Sequence, residues 1–297
     1  MKIVKIKGGL GNQMFQYSFA KLIEKRTGDQ VKIDFSAYQN TGKALRAPYL
    51  KRFSLTLDEA ENSDLKNLLL FKHKGNPFSL PYKASVFAEK TLNSKYAFEE
   101  GLNYKDVTIY KGKNYFDGYW QSWKYIQEVN GEIQKDFVPQ KPLSDKTLSF
   151  IAKIQNENSV FMGVRRGDYL KHQKTYGSFS SNYYKKAMAH ITSKTESPIF
   201  YIFSDDIDWC KVNLDLGDFK VVYREAADQT DDFEELIAMT NFKHAIIVNS
   251  TFHWWAAWLI KNPAKIICRP NKWFFDNTPI DIIPPDWIPI SDENDGN

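Results

Sequence analysis

Residues 3–23, IVKIKGGLGNQMFQYSFAKLI, join a short apolar stretch, three glycines within four positions and a run of mixed polarity. Residues 2–6 read as a buried strand. Phe15, Phe19, Leu22 and Ile23 recur at i, i+4, i+7 and i+8, the spacing of one helix face, so residues 12–27 read as a helix. Gly28 stands where left-handed backbone would close that helix. Residues 31–34 read as the next strand. Strand, glycine loop, helix and strand make a βαβ unit and predict a parallel sheet. The loop admits two readings. Backbone N–H groups at the helix start, with Gly9 and Gly11 allowing close approach, would cradle a phosphate. Alternatively, the glycines keep the chain low so that Asn12 and Gln13 reach some other ligand.

Residues 35–105 are less regular and carry recurring basic and aromatic residues, among them Arg46, Tyr49, Lys51 and Arg52. Residues 107–120 read as extended and 122–135 as a helix. The segment VPQKPLSD, 138–145, has two prolines and no apolar periodicity, which marks a domain boundary between 1–140 and 141–297. Beyond it, strands near 160–164, 199–203, 219–223, 245–248 and 266–268 alternate with helices near 144–156, 181–193, 206 onward, 231–240 and 252–261. That alternation predicts a doubly wound α/β fold. Three polar clusters, RRGD, SDD and NST, each follow a strand, and ligands bind at the carboxyl ends of strands in such sheets.

The bulk numbers narrow the function. A chain of 297 residues with 42% hydrophobic and 26% charged content can bury a core. A net charge of +4 is too mild for a nucleic-acid binder but suits an anionic ligand in a local basic pocket. Cys210 and Cys268 are the only cysteines, so neither a disulfide framework nor a Cys-type metal site is expected. No apolar run approaches membrane-spanning length, and the first residues lack the apolar core of a signal peptide. The expectation is a cytoplasmic protein with no integral membrane segment, meeting the inner membrane only peripherally.

Each cluster has a chemical and a plain reading. Two guanidiniums at Arg165 and Arg166 can grip a diphosphate, with Gly167 permitting close approach and Asp168 orienting an arginine or accepting a proton. The plain reading is an ion-paired turn in which at most one arginine faces a ligand. Asn249, Ser250 and Thr251, followed by Phe252, form a phosphate site at a helix start or an ordinary N-cap. Ser204, Asp205 and Asp206 precede Asp208. The D-x-D at 206–208 would hold a divalent ion, or it is an acidic helix start whose carboxylates recognise a base. Trp254, Trp255 and Trp258 read as core. No zinc, nucleophile-elbow or Walker pattern occurs.

In order along the chain, GGLGNQMFQYSFAKL, GYWQSWKYI (118–126), VRRGDYL (164–170), FYIFSDD (200–206) and KHAIIVNSTFHWWAAWL (243–259) resemble the motifs of glycosyltransferase family 11, the alpha-1,2-fucosyltransferases. The resemblance implies a GT-B architecture: two Rossmann-like domains facing each other across a cleft, with GDP-fucose on the C-terminal domain and the acceptor on the N-terminal side. It implies inverting transfer of L-fucose to the 2-hydroxyl of a terminal galactose in a glycan, with no cofactor and no metal. Carried over, Arg165 belongs on the diphosphate, Ser204, Asp205 and Asp206 near guanine, Asn249 to Phe252 around the phosphates, and Asn12 and Gln13 facing the fucose. Two positions depart from the pattern. The family's histidine two residues before the first arginine is replaced by Gly163, and His253 stands where the pattern has Ser or Gly.

In such a reaction Arg165 and the 249–251 amides would stabilise the leaving diphosphate. Asp168 and Asp117 are the candidate bases for the attacking hydroxyl. Two rivals stay open: a metal-dependent transferase using the D-x-D, and a non-catalytic nucleotide-sugar binder.

Overall fold

The computed structural model describes residues 1–39, 47–71, 80–167 and 173–292. The chain divides into two compact units, one of Met1–Lys141 with Pro279–Ile283, the other of Pro142–Thr278 with Pro284–Asn297. The segment Pro279–Ile283, which the sequence assigns to the second domain, joins the first instead. Ile280 bridges to Leu102, and the Asp281 carboxylate and carbonyl accept the Tyr104 and Trp123 amides at 3.0 and 3.2 Å.

In the first unit, β1 (Lys2–Lys5), β2 (Val31–Asp34), β3 (Asp58–Glu59), β4 (Tyr96–Phe98) and β5 (Tyr115–Asp117) form one sheet in the order β3-β2-β1-β5-β4, with every pair parallel. The helix after β1 spans Leu10–Thr27 and is closed by Gly28 at φ 68°. It starts earlier than residue 12, so Gly9 is its N-cap and Gly11, Asn12 and Gln13 lie in its first turns. The extended reading of 107–120 holds only at β5, because Val107–Tyr110 is a 3-10 turn capped by the Asp106 carboxylate. The single helix expected over 122–135 is two short ones, Trp123–Gln127 and Asn130–Asp136. An aromatic layer holds the helix to the sheet, with Phe19 stacked on Trp120 at 4.0 Å.

In the second unit, β6 (Ser159–Val164), β7 (Ile199–Ser204), β8 (Val221–Tyr223), β9 (His244–Ile246), β10 (Ile267–Pro270) and β11 (Ile288–Ile290) form a second all-parallel sheet in the order β11-β10-β9-β6-β7-β8. β6 is buried throughout, as expected of a parallel strand covered on both faces. Side-chain N-caps at Ser144, Ser180, Asp206, Asp231 and Ser250 start its helices. Trp254 and Trp255 are fully buried, the core role the sequence suggests. The expected α/β class with parallel sheets is what the chain adopts.

Candidate active site

The second sheet has a switch point. The chain runs outward from β6 through β7 to β8, then returns to β9 on the other side of β6. Loops after β6 and β9 therefore depart in opposite directions and leave a crevice at the carboxyl ends. Arg165–Gly167 follow β6, Ser204–Asp206 end β7, and Asn249–Ser250 lead from β9 into the helix Thr251–Leu259. The three clusters meet on one sheet edge.

The SDD acids hold the arginine loop. Arg165 Nη1 lies 3.1 Å from Asp205 Oδ2, and the Arg166 amide donates to Asp205 Oδ1 at 2.9 Å. A Cβ on Gly167 would fall 2.6 Å from the same carboxylate, so this approach requires glycine. The Arg166 guanidinium lies 3.6 Å above the Trp209 ring, with Nε 3.5 Å from Asp206. Both arginines are thus tethered, where the sequence leaves only one in a structural pair. Asp205 and Asp206 serve the arginines, which differs from their expected place at a base.

The Asp206 carboxylate also accepts the Trp209 amide at 3.2 Å, and the Ser204 hydroxyl accepts the Asp206 amide at 3.0 Å. Asp208 is exposed and sits 3.8 Å from Lys211. The two D-x-D carboxylates thus have separate partners. Among the described residues no three His, Cys, Asp or Glu side chains gather to hold a metal ion.

At the helix start, Ser250 is the N-cap and its hydroxyl accepts the His253 amide. First-turn N–H groups of this helix lie at the carboxyl edge and favour an anion there. Asn249 is not aimed at a phosphate: its amide donates to the Tyr176 and Trp273 carbonyls at 2.7 and 2.9 Å and ties two loops together. The Phe252 ring lies 6.1 Å from the ring of His253.

The two departures from the family pattern meet in space. An ideal Cβ on Gly163 would lie 2.3 Å from His253 Nδ1 and 2.4 Å from Cε1. The imidazole from the helix therefore fills the space beside β6 that a side chain at 163 would need. It is 6% exposed, and among the described residues its Nδ1 has no hydrogen-bond partner. Burial, reinforced by the Arg165 charge, pushes its pKa down to about 3, so the ring is neutral. A glycine inside an apolar strand was the available signal, since it marks close approach by another group.

The first unit treats its expected residues differently. Gln13 is fully buried. Its amide donates to the Gly8 and Ala47 carbonyls at 3.0 Å, and its oxygen accepts the Leu50 amide at 2.9 Å. Gln13 is a structural staple, not a sugar contact. Asn12 accepts the Gln121 amide at 2.9 Å. Asp117 is buried between Lys5, at 2.9 Å, and Lys7, and the Tyr96 hydroxyl donates to it at 2.7 Å. Burial opposes its charge, but the two ammonium groups prevail and hold the carboxyl far below its usual range. A carboxylate so firmly ionised is a poor proton acceptor. Asp168 lies outside the described residues.

Comparison with known proteins shows the family. Glycosyl transferase family 11 matches residues 1–291. An alpha-1,2-colitosyltransferase from Escherichia coli is 29% identical, covering 97% of this chain and 98% of its own. Galactoside 2-alpha-L-fucosyltransferase Sec1 from Mus musculus is 23% identical, covering 98% of this chain and 74% of its own. Among solved structures, fucosyltransferase NodZ from Bradyrhizobium aligns with a TM-score of 0.47 at 15% identity, covering 87% of this chain and 92% of that one. No described helix is long and apolar enough to cross a membrane. With a family match spanning nearly its whole length, this chain belongs to glycosyltransferase family 11 and is a glycosyltransferase.

Proposed function

We propose that the enzyme moves L-fucose from GDP-fucose to the 2-hydroxyl of a terminal galactose in an oligosaccharide or surface glycan, with inversion and without a metal. The observation that carries this reading is Arg165, placed at the switch point of the second sheet beside the N-terminus of the helix Thr251–Leu259. When the anomeric C–O bond breaks, its electrons leave with the diphosphate. A guanidinium and a helix N-terminus stabilise that developing charge. The separate partners of Asp206 and Asp208 favour transfer without an ion at the D-x-D. Turnover should therefore survive EDTA.

The similarity to a colitosyltransferase supports a second donor. Colitose is L-fucose without its 3-hydroxyl, so the same diphosphate site would serve both. Incubation with GDP-fucose or GDP-colitose and a lactose-type acceptor, with released GDP measured, separates the two. Arg165→Ala should abolish transfer while the far-ultraviolet circular dichroism stays unchanged. Near-normal turnover by that variant would remove Arg165 from the reaction.

A further inference from the structure

Two helices cover one face of the first sheet. Alternate strand residues share a face, so Ile3 and Lys5 lie on one side, with Tyr115 beside Ile3, and Phe116 on the other. Phe19 of the helix Leu10–Thr27 meets Phe116. On the opposite side, Leu65 and Leu68 of the helix Asn62–Leu68 pack on Ile3, Tyr96 and Tyr115. The helix Leu80–Leu92 joins them there, its Tyr82 hydroxyl accepting the Lys5 ammonium at 2.9 Å.

A helix laid on a sheet ordinarily buries its apolar stripe and shows its charges to water. The helix Leu80–Leu92 does the reverse. Its Glu89 is fully buried, and the carboxylate accepts the Phe71 backbone amide and the Asn93 side-chain amide, both at 2.8 Å. Asn93 also donates to the Leu68 carbonyl at 2.7 Å, so a polar seam ties the helix to the segment before it. Leu80 and Phe87, at i and i+7, are 82% and 71% exposed, with the exposed Ala84 between them at i+4. Leu92 at the helix end, and Leu70 beside the tethered Phe71, are exposed as well. A single exposed leucine is ordinary, but an apolar stripe facing out while a carboxylate is buried beneath it marks a contact surface.

The charge around this stripe selects the occupant. Residues 65–98 contain six lysines and one acid, the buried Glu89. Lys83 and Lys90 run alongside the stripe at i+3 and i+10 from Leu80, and Lys66 and Lys95 are exposed on the neighbouring segments. Lys90 lies 2.9 Å from Glu100 and 5.2 Å from the centre of the Phe98 ring. Apolar side chains projecting from a helix rimmed by lysines match the boundary between anionic headgroups and acyl chains. We propose that the outer face of the helix Leu80–Leu92 docks on an anionic lipid surface. Leu80 and Phe87 enter the headgroup boundary, and Lys83 meets the headgroup phosphates. A second copy of the chain fits less well, because a two-fold contact would set these lysines against their own symmetry mates. With one short helix as its anchor, the association is reversible and salt-sensitive.

The test is co-sedimentation of the full chain with vesicles, either of phosphatidylcholine alone or of equal parts phosphatidylglycerol and phosphatidylcholine. The unaltered chain should bind the anionic vesicles, release them in high salt and leave the neutral ones alone. Leu80→Ser and Phe87→Ser should each weaken the partition about tenfold or more, the effect of withholding one large apolar side chain from an apolar phase. Lys83→Gln should weaken it about fivefold. Val212→Ser, which alters an exposed apolar residue of the second unit, should change nothing. Melting temperatures of all four variants should match that of the unaltered chain. If a serine variant melts lower, Lys83→Gln decides, because it alters only an exposed charge. Failure to bind anionic vesicles, equal binding to neutral ones, or binding by Phe87→Ser equal to that of the unaltered chain overturns the proposal. A dimer in analytical ultracentrifugation that Phe87→Ser disperses, with no vesicle binding, also overturns it and assigns the face to a second copy.

Discussion

Gly163→Ala tests whether the glycine in β6 and the histidine in the facing helix are one device. The added methyl would sit 2.3, 2.4 and 2.7 Å from Nδ1, Cε1 and Cγ of His253. Ordinary packing contact begins near 3.5 Å, so the ring or the strand must yield by about 1 Å. The ring has little room, because Phe161 and Phe252 lie against it with ring centres 6.4 and 6.1 Å away. Overpacking of this kind costs about 1–3 kcal/mol. A domain of this size loses roughly 2–4 °C of melting temperature per kcal/mol. His253→Ala alone opens a cavity but also removes a buried nitrogen that has no partner among the described residues, so its cost should be smaller than that of deleting a purely apolar ring. The double variant has room for the methyl and should be more stable than the two single effects predict by about 1–3 kcal/mol. Thermal denaturation of the four proteins measures this coupling. Additive effects would refute the wedge. Since Arg165 follows β6 by one residue, Gly163→Ala should also weaken GDP binding, and His253→Ala in that background should restore part of it.

Three further outcomes follow from other groups. Asp117→Asn leaves the Lys5 and Lys7 charges in a buried site without their counter-ion and should cost about 3–5 kcal/mol; an unchanged melting temperature with lost turnover would return Asp117 to the role of base. His253 is neutral when folded, with its pKa pushed down to about 3. Between that value and the ordinary histidine pKa near ~6.5 the unfolded chain binds more protons. Stability should therefore be full above pH 6.5 and fall as pH drops towards 3, and His253→Asn should flatten part of that slope in a pH series of thermal melts. Lys265 donates to the Ala257, Trp258 and Ile260 carbonyls at 3.0, 2.7 and 3.1 Å, closing the helix Thr251–Leu259. Lys265→Met should cost about 1–3 kcal/mol, with hydrogen exchange faster at that helix end than elsewhere; uniform exchange would refute the cap.

The second half was the more legible, for a physical reason. Its helices start at Ser144, Ser180, Asp206, Asp231 and Ser250, whose side chains carry the start signal, and its central strands are unbroken apolar runs. Boundaries read from sequence there fall within a few residues of the observed ones. In the first half, the Leu10–Thr27 helix begins at a glycine with no side-chain cap, so the sequence carries no start signal there and nothing that separates Gln13 from a ligand contact. β3 and β4 are too short to show a period. The RRG, SDD and NST clusters were located because all three share a sheet edge. Their partners were not legible, because a side chain that looks free in sequence is claimed by a neighbour distant along the chain: Asp205 by Arg165, Asn249 by Tyr176 and Trp273, Asp117 by Lys5 and Lys7.

Because Pro279–Ile283 returns to the first unit, the polypeptide passes between the units at 141/142, 278/279 and 283/284. A single protease cut within 138–145 would leave the halves covalently joined. A gene fragment ending at residue 141 would encode a first unit lacking the bridge to Leu102 and the Asp281 acceptor for Tyr104 and Trp123. Chimaeras that exchange the second unit between relatives therefore need this short return segment to travel with the first half. A simple two-piece splice at the linker separates residues that fold together.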